Sequence, residues 1–215
     1  MNLTRVYDRF DMGNVYILGE EGCPCIVFDF GDNRGHKVEA YVARHHNGQC
    51  AGIFLTHGHY DHVAGLGELY PDQKWPIFIA EDEKEFLFDP HLNASDTLFD
   101  DSFEAPENLN YYYFDDEDEI TAGPFLVRCI LTPFHTRGSS VFYLEEEGML
   151  FTGDTLFKGS IGRDDLPGAS PRLKDESLKK ILSLPESTKI YPGHGPSSTL
   201  EKEIRFNPFL QGLKR

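Results

Sequence analysis

The chain has 215 residues, 40% hydrophobic and 13% aromatic, which is enough to close a sizeable core and too many for a disordered polypeptide. Its formal net charge of −16 repels phosphate backbones and no basic patch offsets it, so nucleic acid is not expected as a partner. Four cysteines cannot frame a secreted domain of this size, no apolar leader opens the chain, and no apolar run matches a bilayer; the expectation is a cytoplasmic protein with no membrane partner.

Short β-branched and aromatic runs alternate with helical patterns along the chain. Val15 to Leu18 and Cys25 to Phe30 read as strands, His36 to His46 as a helix, and Ile53 to Thr56 as the end of an apolar strand that begins near Ala51. Cys23-Pro24-Cys25 reads as turn and core, not as a thiolate site. Helical patterns follow at Val63 to Tyr70 and Asp82 to Phe88, on either side of a strand at Pro76 to Ala80. The segment Asp89 to Gly123 is polar and acidic and reads as the joint between two halves of similar plan within a single domain, 1–215. Strands at Phe125 to Leu131, Val141 to Leu144, Met149 to Thr152 and Lys189 to Tyr191 fill the second half. A helix at Leu173 to Leu184 starts after Ser170-Pro171.

The densest chemistry lies in Thr56-His57-Gly58-His59-Tyr60-Asp61-His62, directly after an apolar strand. Imidazole and carboxylate together suit zinc, iron or manganese. Gly58 permits a tight turn that lets His57 and His59 converge on one ion, while Asp61 and His62, at a helix start, face a second. Three further donors follow strands: His135 in Thr132-Pro133-Phe134-His135-Thr136, Asp154 in Phe151-Thr152-Gly153-Asp154-Thr155, and His194 in Tyr191-Pro192-Gly193-His194-Gly195. Alone, each reads equally well as a core or capping residue; beside the first motif they complete a metal set. Of the nine histidines, His36, His45, His46 and His91 read as surface residues.

These motifs, with Gly159-Ser160-Ile161-Gly162-Arg163, resemble the metallo-β-lactamase-fold hydrolases, and among them the type II glyoxalase-like branch. The resemblance runs from Asn14 to Phe209 and implies an α/β fold, a four-layer αβ/βα sandwich with metals at one edge of its two sheets. It implies that His57, His59 and His135 hold one divalent ion, that Asp61, His62 and His194 hold another, and that Asp154 bridges the two. Zinc is the expected metal, with iron or manganese as alternatives. The implied activity is hydrolysis of an acyl bond, above all a thioester, by a hydroxide shared between the ions, with Asp61 and Asp154 as the catalytic carboxylates. A single-iron sulfur dioxygenase of the same fold is the alternative chemistry, and an idle, partner-binding member the alternative class.

Departures from the pattern bear on substrate. Phe134 stands where glycine is common and would tighten a pocket wall; Arg137 stands where proline or another residue is usual; Asp29-Phe30-Gly31 stands where the family often reads Asp-Pro-Gly and reads as structural. Arg163 falls where glyoxalases carry a basic residue that contacts a glutathione carboxylate, which implies an anion clamp and a small anionic acyl thiol as the partner molecule. The helical domain that supplies further basic residues in type II glyoxalases has no counterpart before Arg215, and Glu203 to Phe209 resembles the short tail of compact members.

Overall fold

The computed structural model describes residues 1–6, 12–70 and 72–213. Two six-stranded mixed sheets face each other. The first is built from β1 (Asn2–Val6), β2 (Val15–Gly19), β3 (Cys25–Phe28), β4 (Cys50–Phe54), β5 (Ile77–Ala80) and β6 (Tyr111–Phe114), in that spatial order. The second contains β7 (Glu119–Ala122), β8 (Phe125–Leu131), β9 (Ser140–Leu144), β10 (Met149–Gly153), β11 (Lys189–Pro192) and β12 (Ser198–Thr199), again in chain order across the sheet. Helix α1 (Lys37–His45) and the short α2 (Tyr60–Val63) and α3 (Ser95–Leu98) accompany the first sheet, whereas α4 (Lys174–Leu182) and α5 (Leu200–Phe206) accompany the second.

Alternation along the strands explains the layering. Val15 and Ile17 join Val38 and Val42 of α1 in an outer core, while Tyr16 and Leu18 point the other way, into the core between the sheets. That central core is aromatic: the Phe28 ring of the first sheet stacks on Phe151 of the second with centroids 3.6 Å apart. A third core packs Ile130, Val141 and Leu150 of the second sheet against Leu178 and Ile181 of α4. Helix, sheet, sheet and helix make the αβ/βα sandwich expected from the motifs. Among the described residues no helix is long and apolar enough to cross a membrane.

Several elements differ from the sequence expectation. The joint at Asp89 to Gly123 contains β6 and β7, the edge strands of the two sheets. Their faces are half wet, with Tyr112 exposed and Glu119 and Thr121 outward, so the apolar signal that marks a buried strand is weak there. Strand β1, on the opposite edge, was hidden for the same reason. The helical patterns at Val63 to Tyr70 and Asp82 to Phe88 are 3-10 turns, Ala64–Glu68 and Glu81–Leu87. Gly65 and Gly67 weaken the first as an α-helix. His46 is not a surface residue: it is buried, and its Nδ1 donates to the carbonyls of Glu20 and Cys23 at 3.2 and 3.0 Å, tying the β2–β3 turn to the end of α1.

Candidate metal centre

Four strands deliver the site. Beyond β4, Leu55 is still core, and the chain then turns through Thr56-His57-Gly58-His59 into α2, which carries Asp61 and His62. His135 lies in the turn after β8, Asp154 directly follows β10, and His194 follows β11. The seven side chains meet at one edge of the sandwich as three overlapping groups: His57, His59 and His135; His57, His62 and Asp154; Asp61, His62 and His194. Within each group the ligand atoms lie within 4.8 Å of one another.

His59 Nδ1 lies 2.9 Å from His135 Nε2. In the other trio His194 Nε2 is 3.0 Å from Asp61 Oδ2 and 3.3 Å from His62 Nε2. Asp154 faces both sets, with Oδ1 3.3 Å from His62 Nε2 and Oδ2 3.6 Å from His135 Nε2 and 3.7 Å from His194 Nε2. Nitrogens bound to one tetrahedral ion at about 2.0–2.1 Å lie roughly 3.3 Å apart, so these separations suit shared cations. A second observation tests the fit. His57 Nε2 and Asp154 Oδ1 are buried and find no hydrogen-bond partner in the protein, a condition that buried polar atoms rarely tolerate. The donor set fits divalent metal.

The histidines are aimed by their other ring nitrogens. Asp29, held in the left-handed region at φ 55°, accepts from the Thr56 amide at 2.8 Å and from the Thr56 hydroxyl at 2.9 Å. Its Oδ2 takes the His62 Nδ1 proton at 2.8 Å, leaving Nε2 to point inward. Because the Thr56 hydroxyl is committed to Asp29, its oxygen accepts from His57 Nδ1 at 3.0 Å, which frees His57 Nε2. His135 Nδ1 donates to the Arg163 carbonyl at 2.6 Å. The sequence reading took Asp29 as structural; the structure makes it the orienting group for two of the histidines.

Electrostatics divide the site. Burial, reinforced by the neighbouring histidines, holds His57 well below the usual histidine range and pushes His59 down to about 3, so both rings are neutral. Burial also opposes protonation of His62, but Asp29, Asp61 and Asp154 outweigh it and raise that ring well above its ordinary value. Burial would raise the Asp154 carboxyl; facing His62 and His194 instead hold it far below the usual carboxylate range.

Glu83, which the acidic run Glu81-Asp82-Glu83 disguised, is fully buried beside the site. Its carboxylate accepts from the Gly58 amide at 2.7 Å and from the Gly138 amide at 2.8 Å. Burial pushes its carboxyl up to about 7, against the lowering effect of hydrogen bonds from Thr136, Gly58 and Gly138. On the far side, Asn207 and Glu203 are buried and grip the loop that follows Asp154: Asn207 Nδ2 donates to the Ser160 carbonyl at 3.0 Å, and Glu203 Oε2 accepts from the Gly159 amide at 2.7 Å.

The expected substrate contacts fare differently. Phe134 is wholly buried in the core against α4 and forms no pocket wall; its ring fills the space between sheet and helix. Arg137 donates to the Asp82 carbonyl at 3.0 Å, pairs with Glu85 and lies over the Phe86 ring. Arg163 is half exposed, and its fork is taken by Asp165 in two hydrogen bonds of 2.6 and 2.9 Å. Cys23, Cys25, Cys50 and Cys129 are free thiols outside the metal groups.

Comparison with known proteins places this geometry. Residues 8–194 match the model of the metallo-beta-lactamase superfamily. A probable metallo-hydrolase of Bacillus subtilis (strain 168), YqgX, is 35% identical over 203 residues, covering 93% of each chain. Among solved structures, the BLEG-1 B3 metallo-beta-lactamase is 31% identical with a TM-score of 0.87, covering 98% of this chain and all of its own. TTHA1623, solved in a di-iron-bound form, is 30% identical with a TM-score of 0.80, covering 96% of this chain and 100% of its own. The chain belongs to the metallo-beta-lactamase superfamily.

Proposed function

We propose that this chain is a binuclear metallo-hydrolase that cleaves acyl bonds, with thioesters of small acyl thiols as its preferred substrates. The observation that carries the reading is Asp154, whose carboxylate lies between the two sets of donors: Oδ2 faces His135 of one and His194 of the other, and Oδ1 faces His62. His57, His59 and His135 would hold one divalent ion, Asp61, His62 and His194 the other, and Asp154 both; zinc is favoured, with iron and manganese as alternatives. The di-iron form of TTHA1623 supports a pair of ions on this scaffold. When bound, such ions supply a water of pKa roughly 7 and a Lewis acid for the substrate carbonyl.

The protein's own groups do the remainder. Asp29 and Thr56 fix the tautomers of His62 and His57, so that their Nε2 atoms carry lone pairs inward. Asp154 Oδ1 is buried with no hydrogen-bond partner in the protein and would be satisfied by a bound ion. A thiol leaves as thiolate, being acidic near pH 8.5, so the site needs no strong proton donor for the leaving group. This is the physical reason to favour thioesters over amides. The lactamase named among the structural relatives favours a second substrate class, β-lactams, which are also acyl compounds.

A turnover panel tests the choice: neutral and carboxylate-bearing acyl thiols, a β-lactam, and a persulfide with oxygen uptake monitored. The expected result is thioester hydrolysis that disappears on chelation and returns with metal. Oxygen consumption with no hydrolysis would instead assign the single-iron dioxygenase chemistry.

A further inference from the structure

We propose that Glu83 is a positioning residue for the trio His57, His59 and His135, locking together the two loops that carry it. The inference rests on the metal-centre reading and is independent of the substrate.

The three histidines come from different sheets. His57 and His59 follow β4 of the first sheet, and His135 lies between β8 and β9 of the second. For His59 Nδ1 and His135 Nε2 to lie 2.9 Å apart, the seam between the sheets must be held at that point. A hydrogen bond from the Ser140 amide to the Thr56 carbonyl at 2.8 Å begins the seam. Glu83 completes it beside the ligands. One oxygen, Oε2, takes the amide of Gly58, the residue between His57 and His59; the other, Oε1, takes the amide of Gly138, three residues after His135.

Close approach makes this arrangement specific. A Cβ on Gly58 would run into Phe86, and one on Gly138 would lie 2.8 Å from Glu83 Cγ. Both backbones therefore rest directly on the turn Glu81–Leu87, where the fully buried carboxylate is shielded from solvent. A carboxylate offers an acceptor to each amide. A glutamine offers one acceptor, and its NH2 would meet the second amide donor to donor. The sequence gives no hint of this role, because Glu83 is one of several carboxylates in an apparently solvated run.

The test uses the full chain, freed of metal and titrated with cobalt(II), with visible absorption reporting each ion and amide hydrogen exchange reporting Gly58 and Gly138. In Glu83→Gln the ion of the His57-His59-His135 trio should bind about tenfold or more weakly, as expected when support behind a ligand is removed. The ion at Asp61, His62 and His194 should retain its affinity, and at least one of the two glycine amides should lose protection in the metal-free protein. Gly138→Ala, which keeps the carboxylate but pushes it away, should weaken the same ion, and it decides the matter if Glu83→Gln fails to fold. Two ions bound by the variants with wild-type affinity would overturn the inference, and so would equal weakening of both. A wild-type chain that takes up no pair of ions would refute the metal-centre reading itself, and this inference with it.

Discussion

Asp154 and Arg163 lie on the same loop but were legible in the sequence to different degrees. Asp154 follows a buried strand in a glycine-flanked turn and could be read as a ligand once the His57 motif stood beside it. If it bridges, Asp154→Asn should leave the fold intact, weaken one of the two ions and cut turnover by about a hundredfold or more, at or beyond what loss of a supporting contact costs. Metal content and steady-state kinetics on the same preparation check this; full metal and full turnover would refute the bridge. For Arg163 the resemblance implies an anion clamp and its sequence neighbours offer pairing with Asp164 or Asp165 instead; in the structure its fork is paired with Asp165. Both groups are exposed, so their pairing contributes little, and a substrate carboxylate can take Asp165's place. Arg163→Ala should then raise KM about tenfold for carboxylate-bearing thioesters and scarcely affect neutral ones, while Asp165→Asn should lower KM for the former. Equal effects on both substrate classes would reduce Arg163 to a loop support whose carbonyl holds His135. Asp29 and Glu83 are the least legible: their partners, Thr56 and His62 for the first and two glycine amides for the second, are brought near only by folding, and local sequence carries no record of them.

At the scale of elements, strands that bury both faces are read close to their observed bounds, as with β2 at Val15–Gly19 and β9 at Ser140–Leu144, because continuous apolar runs are their direct consequence. Edge strands β1 and β7 are hidden in the sequence because their composition follows solvent, whereas the aromatic run of β6 is masked by the acidic segments on either side of it. Helix α5 shows a further limit. The run Glu203-Ile204-Arg205-Phe206-Asn207 looks like an ordinary tail, yet Glu203 and Asn207 are buried and hold the Phe157–Ser160 loop. Asn207→Ala would take one of two donors from the Ser160 carbonyl, which keeps the Phe157 amide at 3.0 Å, and would remove a partner of the Glu203 carboxylate. The expected loss is about 1–3 kcal/mol, which in a chain of this size lowers Tm by roughly 2–12 °C. The loop passes Phe157, whose ring centroid is 6.1 Å from that of His194, so KM should rise as well. Thermal unfolding with metal loading held fixed checks the first effect; an unchanged Tm would mean the loop is held by other contacts.

For the whole molecule, the sandwich brings the ends of β4, β8, β10 and β11 to one edge, and there the metal donors from both sheets meet. The donors in the two halves therefore depend on each other. Cations bound only by the folded chain stabilise it by mass action, about 2.7 kcal/mol per ion at a hundredfold excess over Kd. Chelation should therefore lower Tm by several degrees, reversibly, and calorimetry with and without a chelator measures this. The most direct test of the central claim is elemental analysis of the purified chain reconstituted with excess zinc, iron or manganese in turn. The account predicts close to two ions per chain with at least one of these metals, bound tightly enough to survive gel filtration. A ceiling of one ion per chain with every metal would contradict it, and a single iron would point to the oxygen-dependent chemistry instead.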